Sequence, residues 1–498
     1  MYTNNERIKF TRRTFLAGAL GGAAGLMTPY VARIAAAEED NEVEPLRVAL
    51  VGVGGYAVAA HFMPSLHLYD NLEVTALCDV DERKVEAGVE TWRERAQELA
   101  ESDDEGQRRH AERYERLLQD KPPLYTDYRK MLEEEGDRFD AAVIATPDHS
   151  HAVISAAAIR AGKHVFCEKP LTLTVEEARA LRELAREHGV VTSLGTQGTQ
   201  TPAFRRGVEL IRQGAIGPVE DVHIWFVRGG ANHQTPPQNG HEIPEELAWN
   251  LWLGPVEYRE YHPRWIARTE WRDTSAGQLG NFGPHTANLP FMGLNIRSLW
   301  DEATDNRIQV EAECSEVNHL SFPEWEKIRW RVPARGDMPP VNVHWHHGPE
   351  LPSDSRETLD SLMRDYGASS EQIDEALDFA GVLIAGAEGA ILSNSHNTSL
   401  TLLPSDRFAD TPQDQPTELP TSPGHYHEWV NACRGGPQPL ANFDYAAPFN
   451  EFLMLGDVAT RFPGETLEYD PATGRIPNHD AAHDALGYEY RDSWSLYG

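Results

Sequence analysis

The stretch Leu46-Arg47-Val48-Ala49-Leu50-Val51-Gly52-Val53-Gly54-Gly55-Tyr56-Ala57 decides the fold. Its apolar run from Leu46 to Val51 predicts a buried strand, and a helical pattern follows the glycine turn through Leu66. A strand ending in Gly52 and a helix beginning near Gly55 aim free backbone N–H groups and a positive helix end at one point. A dinucleotide pyrophosphate would sit there. Gly54 leaves room for its close approach. Ala57 stands where the fingerprint has a third glycine, a position that asks only for a small side chain between helix and strand.

Outward from this turn, residues 46 to about 194 alternate short apolar runs with amphipathic stretches, the pattern of a parallel sheet covered by helices. Further strands are expected at 73–78, 139–145, 164–167 and 190–194, with one long charged helical region at 81–119. Past Thr201 the character changes. Tryptophans cluster, and alternating runs at 327–332, 341–345, 382–385 and 390–393 predict a mainly antiparallel sheet, with Gly386-Ala387-Glu388-Gly389 as a hairpin turn. Helices are expected near 202–213, 285–292 and 426–433, and surface loops at 351–357 and 409–423. The fold class is therefore α/β. An N-terminal Rossmann doubly wound parallel sheet occupies 45–200, and a C-terminal α/β domain for substrate and oligomer contacts occupies 201–498.

The bulk properties fit two globular domains: 498 residues, 40% of them hydrophobic and 25% charged. A formal net charge of −33 argues against nucleic acid and anionic lipid as partners, since both need a basic surface. The four cysteines, Cys78, Cys167, Cys314 and Cys433, form no C-x-x-C and read as free thiols rather than as a zinc site or disulfide framework. At the N-terminus, Thr11-Arg12-Arg13-Thr14-Phe15-Leu16 precedes an apolar, glycine-rich run to Met27 and then Ala35-Ala36-Ala37. Residues 1–37 resemble a twin-arginine signal. The expectation is a chain handed folded to the twin-arginine export machinery and delivered to the periplasm or beyond.

Chemistry-bearing residues fall at predicted strand ends, the edge where doubly wound sheets bind ligands. Asp79 closes the second strand, where a carboxylate accepts hydrogen bonds from the adenosine ribose and repels a 2′-phosphate, favouring NAD over NADP. Ala145-Thr146-Pro147-Asp148-His149-Ser150-His151 follows the third strand and puts Thr146, Pro147 and His149 beside the cofactor. Its H-x-H lacks a third ligand at a compatible spacing, so no metal is expected. Glu168-Lys169-Pro170 ends the next strand and precedes the capped helix start Thr174-Val175-Glu176-Glu177. Gln197, at the end of the last Rossmann strand, faces cofactor or substrate. His344, His346 and His347 fall on an alternating strand with no carboxylate nearby in sequence and read as surface residues.

In this order the glycine turn, Asp79, the Ala-Thr-Pro run and Glu-Lys-Pro resemble the Gfo/Idh/MocA oxidoreductases. The resemblance implies that Glu168 and Lys169 lie beside the nicotinamide, that Lys169 hydrogen-bonds the reacting oxygen, and that the Lys169–Pro170 peptide is cis. An ammonium close to a cationic ring loses pKa and becomes a usable proton relay. In the second domain the resemblance places His285 of Gly283-Pro284-His285 against the substrate, where an imidazole suits general acid/base work and shares proton transfer with Lys169. Asn281 takes the place of an Asp four residues earlier, and an amide cannot accept a proton. Pro284 predicts that His285 sits on the first turn of a helix. The segment Trp249-Asn250-Leu251-Trp252-Leu253-Gly254-Pro255 resembles one near the family's active site, which makes Trp252 a wall for an apolar sugar face. The resemblance also implies a homo-oligomer paired through the open face of the second sheet.

The function expected is that of an NAD-dependent oxidoreductase acting on a sugar, cyclitol or sugar derivative. An exported enzyme has no cytoplasmic cofactor pool, so the NAD is expected to be tightly retained. The alternatives are a redox-neutral, NAD-dependent glycosidase that oxidises, eliminates and re-reduces, and a cofactor-bearing binding protein without turnover.

Overall fold

The computed structural model describes residues 44–54, 62, 72–230, 232–233, 235–301, 306–413 and 415–498. Gly55, Ala57 and the leader 1–37 lie outside these residues. The strand predicted first is β1, Leu46–Val51. It is the third strand of a six-stranded parallel sheet in the order β3-β2-β1-β4-β5-β6. Its neighbours are β2 (Leu72–Cys78), β3 (Leu124–Tyr125), β4 (Ala141–Ile144), β5 (His164–Cys167) and β6 (Thr192–Leu194). β4 and β6 are buried throughout, as strands covered on both faces must be. The strand order reverses between β1 and β4, so their carboxyl ends open a crevice in which Ala145 donates its N–H to Val51 O at 2.8 Å.

A second sheet of eight strands runs β13-β12-β11-β7-β10-β9-β8-β14. These are β7 (Val219–Val227), β8 (Ile308–Cys314), β9 (Glu326–Val332), β10 (Val341–Gly348), β11 (Ala380–Gly386), β12 (Ala390–Asn394), β13 (Leu400–Leu403) and β14 (Leu467–Tyr469). All its pairings are antiparallel except β7 with β10. Val222, Ile224 and Phe226 of β7, with Trp330 and Trp345, turn inward onto the helix Phe443–Ala459, which is buried on nearly every side. The outer face is divided. The helices Ser353–Asp365 and Ser370–Leu377 cover Trp225 and Leu383, whereas β8 and β9 carry ion pairs there, with Glu311 2.7 Å from Arg329 and 2.9 Å from Arg331. The alternating apolar residues of these strands thus serve the core, and what they leave outside is charged.

Two expectations need correction. The charged region 81–119 is two helices, Glu82–Ala100 and Glu105–Asp120, because Asp104 caps a second start by accepting from Gln107 N–H. They pack on each other and on the sheet through Trp92, Ala96, Tyr114 and Leu117, so only their outer faces are solvated. The loop expected at 351–357 instead begins the helix Ser353–Asp365, whose Leu359 and Met363 are buried under the second sheet. The segment 409–423 is irregular but pinned. Glu209 accepts the N–H groups of Thr417, Glu418 and Leu419, and these bonds hold its carboxyl down at about 2 against the cost of burial.

The boundary near 198–202 separates the two sheets in sequence, yet the second domain's late segments complete the first domain's core. Tyr426, Trp429 and Val430 pack on one face of the Rossmann sheet, and Ala441, Phe443 and Ala446 on the other. All four cysteines are free, with Cys78 and Cys167 buried.

Candidate active site

Two adjoining cavities lie at the carboxyl ends of the parallel strands. The smaller, about 210 Å³, is lined by Gly52, Gly54, Asp79, Thr146, Pro147 and Trp252 among others. Gly52 holds φ +87°, and a Cβ there would come within 2.5 Å of Ala145 O. A Cβ on Gly54 would meet Lys84 Cβ at 2.2 Å. Neither position accepts a side chain, so the turn keeps bare backbone beside the cavity. Asp79 accepts from Gly54 N–H at 2.9 Å and Asp81 N–H at 3.1 Å, which fixes its carboxylate at the cavity wall. Burial nonetheless leaves its pKa raised, a cost that a hydroxyl donor from a ligand would relieve.

The larger cleft, about 1000 Å³, continues from it between the two domains and is lined by Thr146, Glu168, Lys169, Gln197, Asn281 and His285 among others. Lys169 donates from Nζ to Asn281 O at 2.7 Å and to Asn281 Oδ1 at 3.2 Å. Burial, with Arg268 behind it, pulls the ammonium down to about 8, although Glu168 and Asp148 oppose the shift. Burial likewise raises Glu168 to about 7. The Lys169–Pro170 peptide is cis. Three polar atoms on this wall, Thr146 Oγ1, Glu168 Oε1 and His285 Nδ1, are buried without a hydrogen-bond partner among the described residues. Orphaned groups of this kind are costly unless a ligand meets them. The bare glycine turn, the Asp79 carboxylate at the cavity wall and these orphans together fit a nicotinamide dinucleotide laid along the sheet edge.

Asn281 and His285 reach the cleft from one helix, Gly277–Thr286, whose i, i+4 spacing puts them on one face. The expected helix start at Pro284 is therefore wrong, since Pro284 and His285 occupy its last turn. Gly280 and Gly283 let the helix pack against Met454 and Leu453 of the central helix, and that packing carries it through the proline. Burial, then Lys169 and His396, hold the His285 imidazole well below its ordinary pKa, so it is neutral rather than freely titrating. Asn281 Oδ1 also accepts from Arg268 Nη2 at 3.0 Å, and Asn281 Nδ2 donates to Gln278 Oε1 at 3.2 Å.

His149 does not line either cavity. The two histidines of the H-x-H stand about 200° apart around the helix Asp148–Arg160. His149 turns to Thr274 O and Trp252 O, at 3.2 and 2.7 Å, and fastens the Rossmann domain to the second domain. His151 is the one facing the cleft, held between Pro170 O and Thr146 O. Trp252 borders both cavities, but its ring stacks on Trp249 at 4.8 Å and is largely buried. Arg228, Arg268 and His396 line the cleft without having been singled out in the sequence. They come from loops whose positions no local pattern specifies. His396 follows β12 and tilts against His285 at 4.5 Å between ring centroids.

The surface reading of His344, His346 and His347 also fails. His346 and His347 are buried, and β7 brings the carboxylate of Asp221 to His344.

Comparison with known proteins agrees with this geometry. Residues 46–196 match the Gfo/Idh/MocA model, an oxidoreductase family with an NAD-binding Rossmann fold. The levoglucosan dehydrogenase of Pseudarthrobacter phenanthrenivorans is 36% identical over 94 residues, 19% of this chain and 24% of that protein. The NAD(+) scyllo-inositol 2-dehydrogenase of Bacillus subtilis is 37% identical over 91 residues, 18% of this chain and 26% of that protein. The chain thus spans about a quarter of the length of these curated relatives. The WlbA dehydrogenase of Chromobacterium violaceum, solved with NADH and UDP-GlcNAcA, has a TM-score of 0.53 at 13% identity. That likeness covers 86% of this chain and 97% of the other, so the fold is shared across both domains. Residues 46–196 thus match the NAD-binding Rossmann domain of the Gfo/Idh/MocA oxidoreductases, and both domains share the fold of the solved WlbA dehydrogenase.

Proposed function

We propose that the protein oxidises or reduces a sugar, cyclitol or sugar derivative with a tightly retained NAD, and that it works after twin-arginine export. The observation that carries this reading is Lys169, a buried amine brought down to about 8, with its Nζ held over the cleft by Asn281. The related dehydrogenases of levoglucosan and scyllo-inositol are named for polyhydroxylated rings, which supports the substrate class.

Gly52, Gly54 and Asp79 would hold the adenosine and pyrophosphate side, and Thr146, Pro147 and Glu168 the nicotinamide side. Bound NAD would supply the hydride acceptor or donor. Lys169 Nζ, neutral in a sizeable fraction of molecules near its pKa, takes the proton from the reacting hydroxyl during oxidation and returns it during reduction. His285, kept neutral, offers Nδ1 to the same oxygen or its neighbour. Asn281 orients Lys169 but exchanges no proton, so the relay rests on Lys169. Asp79 favours NAD over NADP by its charge. Retention and export rest on Arg12-Arg13, since a chain that folds before crossing the membrane carries its cofactor with it. Homo-oligomer formation belongs to the same reading.

The test is to purify the mature protein, assay it for bound nicotinamide, and offer free sugars, cyclitols and aryl glycosides. Bound NAD that is reduced by a free sugar or cyclitol is expected. Aglycone release without net reduction would replace the dehydrogenase reading with the redox-neutral glycosidase. No nicotinamide, and none taken up on addition, would sink both.

A further inference from the structure

The central strands of the second sheet bring together a set of side chains that the redox cleft does not use. β7 and β10 pair in parallel with His223 opposite His344, and their imidazoles stack at 4.5 Å with 6° between planes. Asp221, two residues before His223, shares that face, and His344 Nε2 lies 3.3 Å from its Oδ1. One ligand atom from each of Asp221, His223 and His344 can be chosen so that all lie within 4.8 Å of one another. The geometry points to a site for a single zinc-class divalent cation held by Asp221, His223 and His344.

Bonds of about 2.1 Å in a tetrahedral site set two donors roughly 3.4 Å apart. The His344–Asp221 pair already stands at that separation, and the third donor needs a shift of about an ångström, within reach of imidazole rotation. The surroundings orient the donors. His346, on the same face, places Nε2 3.2 Å from His223 Nδ1 and Nδ1 2.9 Å from Ser355 Oγ. This chain occupies Nδ1 of His223, so Nε2 is the nitrogen the ion would take, with the outer hydrogen bond orienting the ring as it does for ligating histidines. Asn342 Nδ2 donates to Asp221 Oδ1 at 3.2 Å and steadies the carboxylate. Two imidazoles and one carboxylate suit zinc and its neighbours, whereas magnesium and calcium ask for oxygen donors. A fourth position stays open towards the partly exposed side of Asp221 and His344.

The site is on the sheet face opposite Phe226, whose ring stacks on Phe282 of the cleft helix at 4.1 Å. Its role is therefore structural and separate from hydride transfer. The ion would clamp the one parallel strand pair of the second sheet, the pairing geometry that is weaker per residue.

To test this, full-length protein is stripped with a chelator, dialysed against Zn²⁺ and measured for bound metal, NAD content and thermal midpoint. One equivalent of zinc, a raised midpoint and unchanged NAD content are expected. Asp221→Asn and His344→Ala should lose stoichiometric zinc, and His346→Gln should weaken it about 10–100-fold. Equal zinc in wild type and variants, or none in wild type, overturns the site. Should a variant fail to fold, Co²⁺ added to the stripped wild type decides: intense visible bands of a four-coordinate ion support the site, and their absence rejects it.

Discussion

Thr146, Glu168 and Lys169 reach the cleft from the ends of two neighbouring parallel strands, whereas Arg268, His285 and His396 reach it from two loops and one helix of the second domain. The first wall is built from backbone geometry. Its residues sit where a strand stops, and the pairing of β1 with β4 and of β4 with β5 sets their spacing. The second wall is built by packing, since the Gly277–Thr286 helix is placed by the central helix behind it. On the proposed function, the difference matches what each wall would bind. A cofactor is constant and can be read by fixed backbone, while a substrate varies and is read by side chains on replaceable loops.

Substitutions should separate the two walls. The largest effect is expected at Lys169. Lys169→Met should lower kcat by about 10²–10⁴-fold while bound NAD stays at the wild-type level, measured by turnover and by nicotinamide released on denaturation. Gly52→Val should come next. A side chain at φ +87° pressed on Ala145 O should cost about 1–3 kcal/mol and empty the cofactor site, seen as a lower thermal midpoint and a lost nicotinamide signal. Asp79→Ala should weaken NAD by about 10–100-fold and NADP less, measured by titration of each. On the substrate wall, Arg268→Gln should raise KM several-fold and, by removing a charge that lowers the Lys169 ammonium, also move the pH inflection upward.

The pH profile sharpens the same comparison. Lys169 accepts a proton only when neutral, so alcohol oxidation should rise with pH and level off above about 8, and carbonyl reduction should fall over the same range. Asn281→Asp adds a carboxylate beside the ammonium, favours its charged form and should move that inflection upward by about a unit or more. An unmoved inflection would assign the titration to another group.

Much of the first wall was legible because its signals are local. A strand end, a glycine turn and Glu168-Lys169-Pro170 each occupy a few consecutive residues, so β1 and β5 were found to the residue. His149 was misplaced because two residues apart on a helix means opposite faces, and only the packed second domain shows which face is the cleft. Arg268 and His396 carried no local pattern at all. The Asp221, His223 and His344 group was hidden for a topological reason, since more than a hundred residues separate His223 from His344 and only the parallel pairing of β7 and β10 joins them. The proline at 284 misled because tertiary packing overrode a reliable local signal.

The most direct test of the account is the absorbance of the nicotinamide bound to the purified enzyme on mixing with a free sugar or cyclitol, followed across pH in wild type and in Lys169→Met. The account predicts reduction of the bound ring in wild type with an inflection near 8, and loss of that phase in a variant that still holds its NAD. Full-rate reduction by Lys169→Met, or a wild-type protein that neither contains nor binds nicotinamide, would contradict it.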